Sequence, residues 1–529
     1  MENRKHKIIK SLTAFVFAAA LALTGTVPSF AAEKTFEGAG EFPDTTSTSV
    51  IVMDAGSGEV LYEKDAHKKR DPASMTKILN LLVCLDTLDF DQEVTVEKNT
   101  TGEGTDINLQ KGEKITIRNL AYGMMLASAN DAAEYLGYLA GDGDIDAFCD
   151  MMDAKAKSLG ATDTDYKNPN GLNPDKVNNV TTAYDLALMV REGMKDKRFR
   201  EIVGTREYTI DATNKSKKRK LHNSNMCLYS EEIQKVADGD KEALKKYIEK
   251  YKSNPDNYVP EDEAELPDIV RNAAKARAEL MYKPCIGVKT GYTSSAGDCF
   301  AGFAKKGDME IIAVVMNAPH AKNKFQDVKK LWKYSFANFK SYTAQSSDDF
   351  KYQMKVKRGS LREVDLGIKN DLKVTALKKD NPEETVTTEV ELTEEKPMAP
   401  VKKGAVVGRL VAYENGEEVS SQDLISLETA EEGGPLSYIG IADEDVPKFF
   451  ILLGLAIVVL IIVRYMIKTS KKNKARRRRR AERREAEKRE AEQREPKRET
   501  IRRDNERSGK HQGSAQTTAG YAGSLYAQR

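Results

Sequence analysis

The apolar run Phe449–Ile467 is the feature that most constrains this chain, because the basic sequence KTSKKNKARRRRR follows it directly. A helix over these 19 residues spans roughly 28 Å at about 1.5 Å per residue, close to the thickness of a membrane's hydrocarbon core. The charge of Arg464 lies near one end, where its long side chain can reach the headgroups. Basic flanks favour the cytoplasmic side of a membrane. We therefore predict a single membrane span, with the tail in the cytoplasm and residues 32–446 outside.

A second membrane signal lies at the amino terminus. Residues 1–31 combine a basic head, an apolar stretch from Leu12 to Leu23 and small residues near the end. This pattern is typical of a secretory signal peptide that is cut after Ala31 or Ala32. An uncleaved anchor helix is the alternative, and the shortness of the apolar stretch disfavours it.

The charge balance excludes one class of partner. The chain of 529 residues carries a formal net charge of +2. Residues 471–510 alone hold 19 Lys and Arg against 9 Asp and Glu, so the basic excess belongs to the tail. We therefore expect no nucleic-acid-binding domain.

The cysteine pattern gives no sign of a metal site, and we expect the chain to need no metal or cofactor. The five cysteines show no C-x-x-C spacing and no clustering with histidine. This pattern predicts neither a zinc site nor a disulfide framework. Cys84, within ILNLLVCL, is most simply a small core residue.

Strand-like runs lie at both ends of the outer region, with helical segments between them. SVIVMDAGSGEVLYEKD (Ser49–Asp65) predicts a hairpin about the turn AGSG. PCIGVKTGYT, GDCFAGFAKKG and MEIIAVVMNA predict three successive strands before a helix over Lys324–Phe339. The helices predicted between these ends are Ser74–Leu88, Ile117–Ala127, Ala129–Ala140 and Ile145–Leu159. This order indicates an α+β domain whose sheet joins its N- and C-terminal strands.

The composition of the chain after the main domain changes twice, which separates a small domain, a tether and a charged tail. Short alternating runs such as TVTTEVEL, separated by turn residues, predict a small all-β domain, and the stretch after it is a polar tether. The charged, low-complexity tail is expected to be disordered or a single solvated helix. The predicted layout is a signal peptide at 1–31, a main domain over 45–345, the all-β domain over 350–430, a tether over 431–447, a transmembrane helix over 448–467 and the tail over 468–529.

The stretch DPASMTKILN places a serine and a lysine three residues apart at the head of an apolar run. Pro72 suits a first helical turn, so Ser74 and Lys77 share one side of the predicted helix. None of the histidines lies in a serine-hydrolase context, which favours lysine as the candidate base. A neutral lysine near pH 7 needs a pKa lowered by roughly 3 units, about 4 kcal/mol. Burial and a nearby cation can supply this shift, so the mechanism predicts a second positive residue in the site.

Two later stretches complete a pattern. LASANDAAEYL contains Ser128 and Asn130, and GVKTGYTSSAG contains a K-T-G that begins at Lys289. S-x-x-K, S-x-N and K-T-G in this order resemble the signature of penicillin-binding proteins and serine β-lactamases. The runs VMDAGSGEVLYEKD, NPNGLN, LHNSN and APVKKGAVVG narrow the resemblance to low-molecular-weight penicillin-binding proteins that act as D-alanyl-D-alanine carboxypeptidases. The likeness covers residues 45–430.

The resemblance implies catalytic roles. Ser74 attacks the carbonyl between the two terminal D-alanines and forms an acyl-enzyme, and Lys77 takes its proton. Ser128 relays a proton to the leaving D-alanine, and Asn130 helps to hold Lys77 and the substrate amide. Water then releases the shortened peptide.

The resemblance also implies binding roles, with β-lactams as covalent inhibitors. Lys289 and Thr290 receive the terminal carboxylate, and Lys289 is the second cation that the mechanism requires. Gly291 lets the substrate lie along an edge strand. The backbone N–H groups of Ser74 and Tyr292 form the oxyanion hole.

Three features depart from the family pattern. Tyr292 stands where such carboxypeptidases often have histidine, which is expected to alter the pH dependence. Lys324 stands where relatives can have an arginine that contacts the carboxylate. Ser230–Glu279 is an insertion between LHNSN and K-T-G, in which KEALKKYIEKY predicts an amphipathic helix. It is interpreted either as a solvated elaboration or as a partner-docking or substrate-gating arm.

The function predicted by this resemblance is that of a membrane-anchored serine-type D-Ala-D-Ala carboxypeptidase with the penicillin-binding/serine β-lactamase-like α+β fold. Its substrates are peptidoglycan stem pentapeptides, and its role is cell-wall maturation, remodelling and shape. A D,D-endopeptidase acting on cross-links uses the same residues and stays an alternative. A β-lactamase is disfavoured because TDTDYKNPNGLNPD lacks the E-x-x-L-N of one such class. A non-catalytic β-lactam sensor or wall-binding scaffold is disfavoured because every catalytic residue is present.

Overall fold

The computed structural model describes residues 40–98, 104–172, 178–253, 257, 259–260 and 263–507, with side chains described as far as Glu490. The predicted signal peptide therefore lies outside the described residues. The chain forms two compact units. The first runs as far as Met354 and also contains Val364–Lys396 and Lys402–Thr429, and the second comprises Lys355–Glu363, Pro397–Val401 and the chain from Ala430 onward.

The secondary structure alternates between strands and helices along most of the described chain. The strands are β1 (Ser49–Asp54), β2 (Val60–Lys64), β3 (Glu93–Thr95), β4 (Lys114–Thr116), β5 (Glu207–Ile210), β6 (Arg219–His222), β7 (Cys285–Thr293), β8 (Gly297–Lys306), β9 (Met309–Ala318), β10 (Phe339–Gln345), β11 (Tyr352–Lys355), β12 (Glu363–Ile368), β13 (Leu372–Leu377), β14 (Val386–Leu392), β15 (Val406–Glu414) and β16 (Glu417–Ser426). The α-helices are α1 (Lys77–Thr87), α2 (Ile117–Leu126), α3 (Asn130–Ala140), α4 (Ile145–Ser158), α5 (Ala183–Gly193), α6 (Lys197–Gly204), α7 (Glu231–Ala237), α8 (Lys241–Lys252), α9 (Leu266–Leu280), α10 (Ala321–Asn338), α11 (Pro382–Thr385) and α12 (Val446–Arg507).

A five-stranded sheet in the order β2-β1-β9-β8-β7 organises the first unit. Strand β1 pairs antiparallel with β9, with Val50 opposite Val315, so the sheet joins strands from the two ends of the domain as predicted. Side chains alternate along β1. Ile51 and Met53 enter the core that the helices α1 to α5 line, while Val50 packs on the other face among residues of α10. The sheet is therefore buried on both faces.

Helix α1 is the centre of the helical layer. Every residue from Lys77 to Leu85 is buried, including Cys84, whose predicted core position is confirmed. The helix contacts α3, α4 and α5. The sequence predicted a helix from Ser74, but Ala73–Thr76 forms a 3-10 turn and the α-helix begins at Lys77.

The long insertion forms a helical module, whereas the sequence predicted only one amphipathic helix in it. Helices α7, α8 and α9 enclose a small apolar core. The apolar residues of α9 also recur at helical spacing, so this helix was readable from the sequence although it was not predicted. The core residues are Val236, Leu244, Leu266, Val270 and Ala274.

The chain after α10 forms the predicted all-β structure. Strand β10 pairs with β13, and a second five-stranded sheet has the order β11-β12-β16-β15-β14. Its apolar core includes Leu410, Ala412 and Leu424. The alternation of apolar and polar residues in this region explains why it was recognisable from the sequence.

The second unit contains the apolar helix. Two 3-10 turns, Pro435–Ile439 and Asp443–Asp445, lie in the predicted tether, and α12 follows them. This helix is long and apolar enough to cross a membrane. It runs without a break from Val446 to Arg507, so the predicted span continues as a helix into the basic tail.

Asp327 of α10 ties the segment before β1 to the C-terminal helix of the domain. Its Oδ2 accepts four hydrogen bonds of 2.8 to 2.9 Å from the backbone N–H and hydroxyl groups of Thr46 and Ser47. We expect Asp327→Ala to lower the free energy of unfolding by about 3 kcal/mol, because several donors lose their acceptor. Urea denaturation of the full chain in detergent measures the change. Asp327→Asn should cost less, and the exposed neighbour variant Gln326→Ala should change little; equal effects of all three would contradict this account.

Candidate active site

Ser74 lies on a constrained 3-10 turn, Ala73–Thr76, directly before α1. Ala73 has a φ of +47°, a left-handed conformation that residues with a side chain rarely adopt. Two side chains hold this conformation: Asp71 Oδ1 accepts from the Ala73 N–H at 2.8 Å, and the Thr76 hydroxyl donates to the Ala73 carbonyl at 2.9 Å. The turn therefore fixes where the Ser74 hydroxyl lies.

The amine of Lys77 is surrounded by three oxygens in a fully buried position. Nζ lies 2.9 Å from Ser74 Oγ, 2.7 Å from Asn130 Oδ1 and 2.6 Å from the carbonyl oxygen of Asn170. The last two oxygens can only accept hydrogen bonds. A neutral amine satisfies this arrangement, because it donates to both and keeps a lone pair for the proton of the Ser74 hydroxyl.

Burial is the largest cause that lowers the pKa of Lys77 well below its usual value, and the charge of Lys289 lowers it further. The carboxylate of Asp131 acts in the opposite direction. Asp131 is itself buried and accepts N–H groups of Ile107 and Leu109, and its burial raises its own pKa. The electrostatic environment thus favours the neutral form of Lys77, as the sequence argument required.

Lys289 joins the second and third sequence motifs. Its Nζ donates to Ser128 Oγ at 3.0 Å and to the Thr290 carbonyl oxygen at 2.9 Å. Ser128, two residues before α3, has a φ of +62° and is also held in the left-handed region. The three motifs therefore converge, with Ser128 placed against one lysine and Asn130 against the other.

Burial does not distinguish the two lysines. Lys77 is 0% exposed and Lys289 is 1% exposed. Burial, and then the charge of Lys324, lower the pKa of Lys289 to about 7. A pKa in this range makes the charge of Lys289 sensitive to its neighbours near neutral pH.

Lys324 lies in a buried ion pair. Its Nζ donates to Asp298 Oδ1 at 2.7 Å, and both side chains are almost inaccessible to solvent. The sequence comparison suggested that Lys324 contacts the substrate carboxylate. In the structure its ammonium already has a carboxylate partner, and it acts on the site by lowering the pKa of Lys289.

The residues after Lys289 line the end of strand β7. Thr290 Oγ1 lies 2.6 Å from the hydroxyl of Ser224, which belongs to the LHNSN stretch. A Cβ on Gly291 would lie 2.8 Å from the carbonyl oxygen of Pro72. Glycine is therefore needed for contact between this strand and the Ser74 turn, a different requirement from the passage of substrate. The Tyr292 side chain is 66% exposed.

Several residues that support the site escaped sequence reasoning. The NPNGLN loop contributes the Asn170 carbonyl, one of the three oxygens around the buried amine. Asn80 donates to the carbonyl of Pro169 at 2.9 Å and so anchors that loop to α1. A Cβ on Gly171 would lie 1.9 Å from the Ala73 carbonyl oxygen, so only glycine fits there. A single asparagine inside the apolar run KILNLL was the available signal.

The described part of the chain offers no group of three or more His, Cys, Asp and Glu side chains that could hold a metal ion. The five cysteines are free and buried. Burial raises the pKa of Cys285 to about 12, so its thiol stays protonated and unreactive.

Comparison with known proteins agrees with this geometry. Residues 36–241 and 234–320 match the D-alanyl-D-alanine carboxypeptidase family, and residues 339–432 match the C-terminal domain of penicillin-binding protein 5. D-alanyl-D-alanine carboxypeptidase DacF of Bacillus subtilis is 26% identical over 407 residues, which cover 76% of this chain and 90% of the relative. DacC of Escherichia coli, another D-alanyl-D-alanine carboxypeptidase, is 29% identical over 420 residues, or 77% of this chain and 88% of the relative.

A solved structure shows the same fold. Penicillin-binding protein 5 of Haemophilus influenzae matches with a TM-score of 0.50 and 21% identity, over 74% of this chain and 100% of that chain. The family match extends over more than half of the sequence and contains all three motifs that converge on the buried lysines. The chain therefore belongs to the D-alanyl-D-alanine carboxypeptidase family of serine-type peptidases.

Proposed function

We propose that this chain removes the terminal D-alanine from peptidoglycan stem pentapeptides through an acyl-enzyme on Ser74. One observation carries the proposal: a fully buried lysine amine lies 2.9 Å from a serine hydroxyl, with its other hydrogen bonds directed at acceptors. Such an amine can take the proton of the hydroxyl as the nucleophile attacks. Family membership supplies the substrate class.

In the acylation step, Ser74 Oγ attacks the carbonyl carbon between the two D-alanines while Lys77 Nζ accepts the hydroxyl proton. The developing oxyanion is stabilised by the backbone N–H groups of Ser74 and Tyr292. When the C–N bond breaks, the proton that Lys77 took from Ser74 passes through Ser128 to the leaving amine of D-alanine, so Lys77 is neutral again. Asn130 keeps Lys77 oriented and binds the substrate amide.

The terminal carboxylate of the substrate binds beside Lys289 and Thr290. A carboxylate next to an amine with a pKa of about 7 favours the charged amine, so substrate binding draws a proton to Lys289. The two lysines then hold different protonation states. Lys289 is the cation that binds substrate, and its charge helps to keep Lys77 neutral.

Deacylation returns the enzyme to its starting state. Water adds to the ester carbonyl, gives its proton to Lys77, and the ester C–O bond breaks. Ser74 Oγ recovers the proton from Lys77, and the shortened peptide leaves with its new carboxylate. β-Lactams follow the first step, since opening of the lactam ring leaves an ester on Ser74.

We also propose that the enzyme is anchored by α12 with its catalytic domain outside the cytoplasm. The apolar helix and the basic run after it support this orientation through the positive-inside rule. Secretion through a signal peptide at residues 1–31 is part of the same proposal. Both put the enzyme on the side where its peptidoglycan substrate is.

Ser74→Ala is expected to abolish both D-alanine release and covalent labelling by a fluorescent penicillin. The reason is that no other hydroxyl lies against the neutral amine in the described site. Mass spectrometry of the full chain in detergent measures the adduct and its position. Ser294→Ala, at an exposed serine after K-T-G, serves as the control and should still label. A penicilloyl adduct on the Ser74→Ala chain would refute the assignment of the nucleophile.

The pH profile of acylation should separate the two lysines. The rate rises with pH as Lys77 loses its proton and falls as Lys289 loses its own, with the falling limb of free enzyme near pH 7. Lys289→Arg should remove the falling limb, because a guanidinium stays charged. Lys289→Ala should move the rising limb to higher pH, because the pKa of Lys77 rises when the neighbouring charge is lost.

Lys77→Arg should reduce acylation roughly 1000-fold at every pH tested, because guanidinium cannot act as a base. Stopped-flow acylation by a chromogenic cephalosporin between pH 5 and pH 10 gives the profiles. The exposed variant Lys322→Ala is the matched control and should keep the wild-type profile. Near wild-type acylation by Lys77→Arg would mean that lysine is not the base.

Protease digestion tests the proposed topology. Trypsin added to intact protoplasts should degrade the catalytic domain and leave a protected fragment that contains the Arg-rich tail. Permeabilised protoplasts, in which the tail is also cut, are the control. Survival of the catalytic domain in intact protoplasts would reverse the orientation.

A further inference from the structure

The insertion lies between two elements of the active site. The chain leaves the site at the LHNSN stretch, residues 221–225, forms α7 to α9, and returns as strand β7. These two elements meet again at the site, because Ser224 Oγ lies 2.6 Å from Thr290 Oγ1. A movement of the insertion can therefore displace strand β7 in two ways, through the contact between the Ser224 and Thr290 hydroxyls and through the polypeptide chain.

The loop that carries Ser224 is fixed largely through its backbone. The Ser224 N–H donates to the carbonyl of Leu126 at the end of α2, at 3.2 Å. Asn225 Oδ1 accepts from the Cys227 N–H at 2.9 Å, and the Cys227 carbonyl accepts from the Tyr282 N–H at 2.9 Å. Tyr282 directly follows α9, so the insertion's last helix and this loop are joined at the base.

Arg277 connects α9 to the residue after Ser224. Its Nη2 donates to the carbonyl oxygen of Asn225 at 3.1 Å. The side chain is half-buried, its Nη1 is inaccessible to solvent, and among the described residues it has no carboxylate within ion-pair distance. A guanidinium that is partly desolvated without a carboxylate is costly to hold. Its Nη2 hydrogen bond is to the backbone of the residue after Ser224, which indicates that Arg277 holds this part of the loop in place.

We propose that Arg277 is a positioning residue that orients the pocket for the substrate's terminal carboxylate. By holding the Asn225 carbonyl, it fixes the Ser224 hydroxyl against Thr290, and Thr290 is one of the groups that receives the carboxylate. The insertion then stabilises the position of strand β7. This inference rests on the proposed function and assigns the insertion a part in substrate affinity.

The test compares two peptides that differ only at the C-terminus. One ends in D-Ala-D-Ala with a free carboxylate, and the other ends in the corresponding C-terminal amide. Arg277→Met, in the full chain in detergent, should raise KM for the acid about tenfold and leave kcat within about twofold. For the amide, kcat/KM should stay unchanged. General loosening of the fold would instead weaken the turnover of both peptides.

Matched variants refine the comparison. Arg271→Met removes another arginine of α9 that pairs with Asp268, and both constants should stay at wild-type values. Arg277→Lys retains one donor and should restore part of the affinity for the acid. Ser224→Ala should mimic Arg277→Met, and the double variant should be no weaker than either single variant, because both changes break one chain of contacts.

The outcomes separate the two proposals. A wild-type enzyme that releases no D-alanine from the acid peptide would remove the proposed function itself. An active wild type whose Arg277→Met variant loses acid and amide turnover equally, or loses neither, would overturn the positioning role alone. Additive losses in the double variant would show that Arg277 and Ser224 act separately, which also contradicts it.

Discussion

The buried amine of Lys77 is the interaction on which the rest of the catalytic domain depends. A lysine at the buried start of an apolar helix loses its hydration, and no carboxylate among the described residues contacts it directly, so the neutral form is favoured. A neutral amine has two N–H donors and one lone pair, so the oxygens around Lys77 must be placed to match them. The strained turn before α1, the start of α3 and the NPNGLN loop all supply such oxygens. Their positions explain why elements distant in sequence pack around one residue.

The pKa values of three lysines in the site are linked. Lys324 forms an ion pair with Asp298, the pKa of Lys289 is lowered to about 7, and the pKa of Lys77 is lowered further. The charge of Lys324 lowers the pKa of Lys289, and the charge of Lys289 lowers that of Lys77. In the proposed mechanism, a substrate carboxylate beside Lys289 therefore meets a group whose protonation can adjust to it. That mechanism couples the reaction at Ser74 to carboxylate binding.

Hydrophobic periodicity, a local property, predicted the sheet strands and the central helices. The convergence of the three motifs was implied by the family resemblance. The sequence did not reveal that Lys289 is as buried as Lys77, since burial depends on the packing of β7 against distant elements. Gly291 was assigned to substrate passage, but its constraint is the nearby Pro72 carbonyl, a contact made only in the folded chain. The hydrogen bond from Asn80 to the NPNGLN loop is likewise a contact of the folded chain. Two helices of the insertion, α7 and α9, were not predicted, although the apolar residues of α9 recur at helical spacing.

Strand β7 ends the five-stranded sheet, and sheet edges invite pairing with other chains. Here neighbouring elements pack against the strand near each of its ends. Helix α6 lies against Gly287, where a Cβ would come within 2.7 Å of Val203, and the Ser74 turn lies against Gly291. The residues between these contacts, Val288, Lys289 and Thr290, are themselves buried. The edge therefore offers a foreign strand too short a length for stable pairing, which guards the protein against edge-to-edge aggregation.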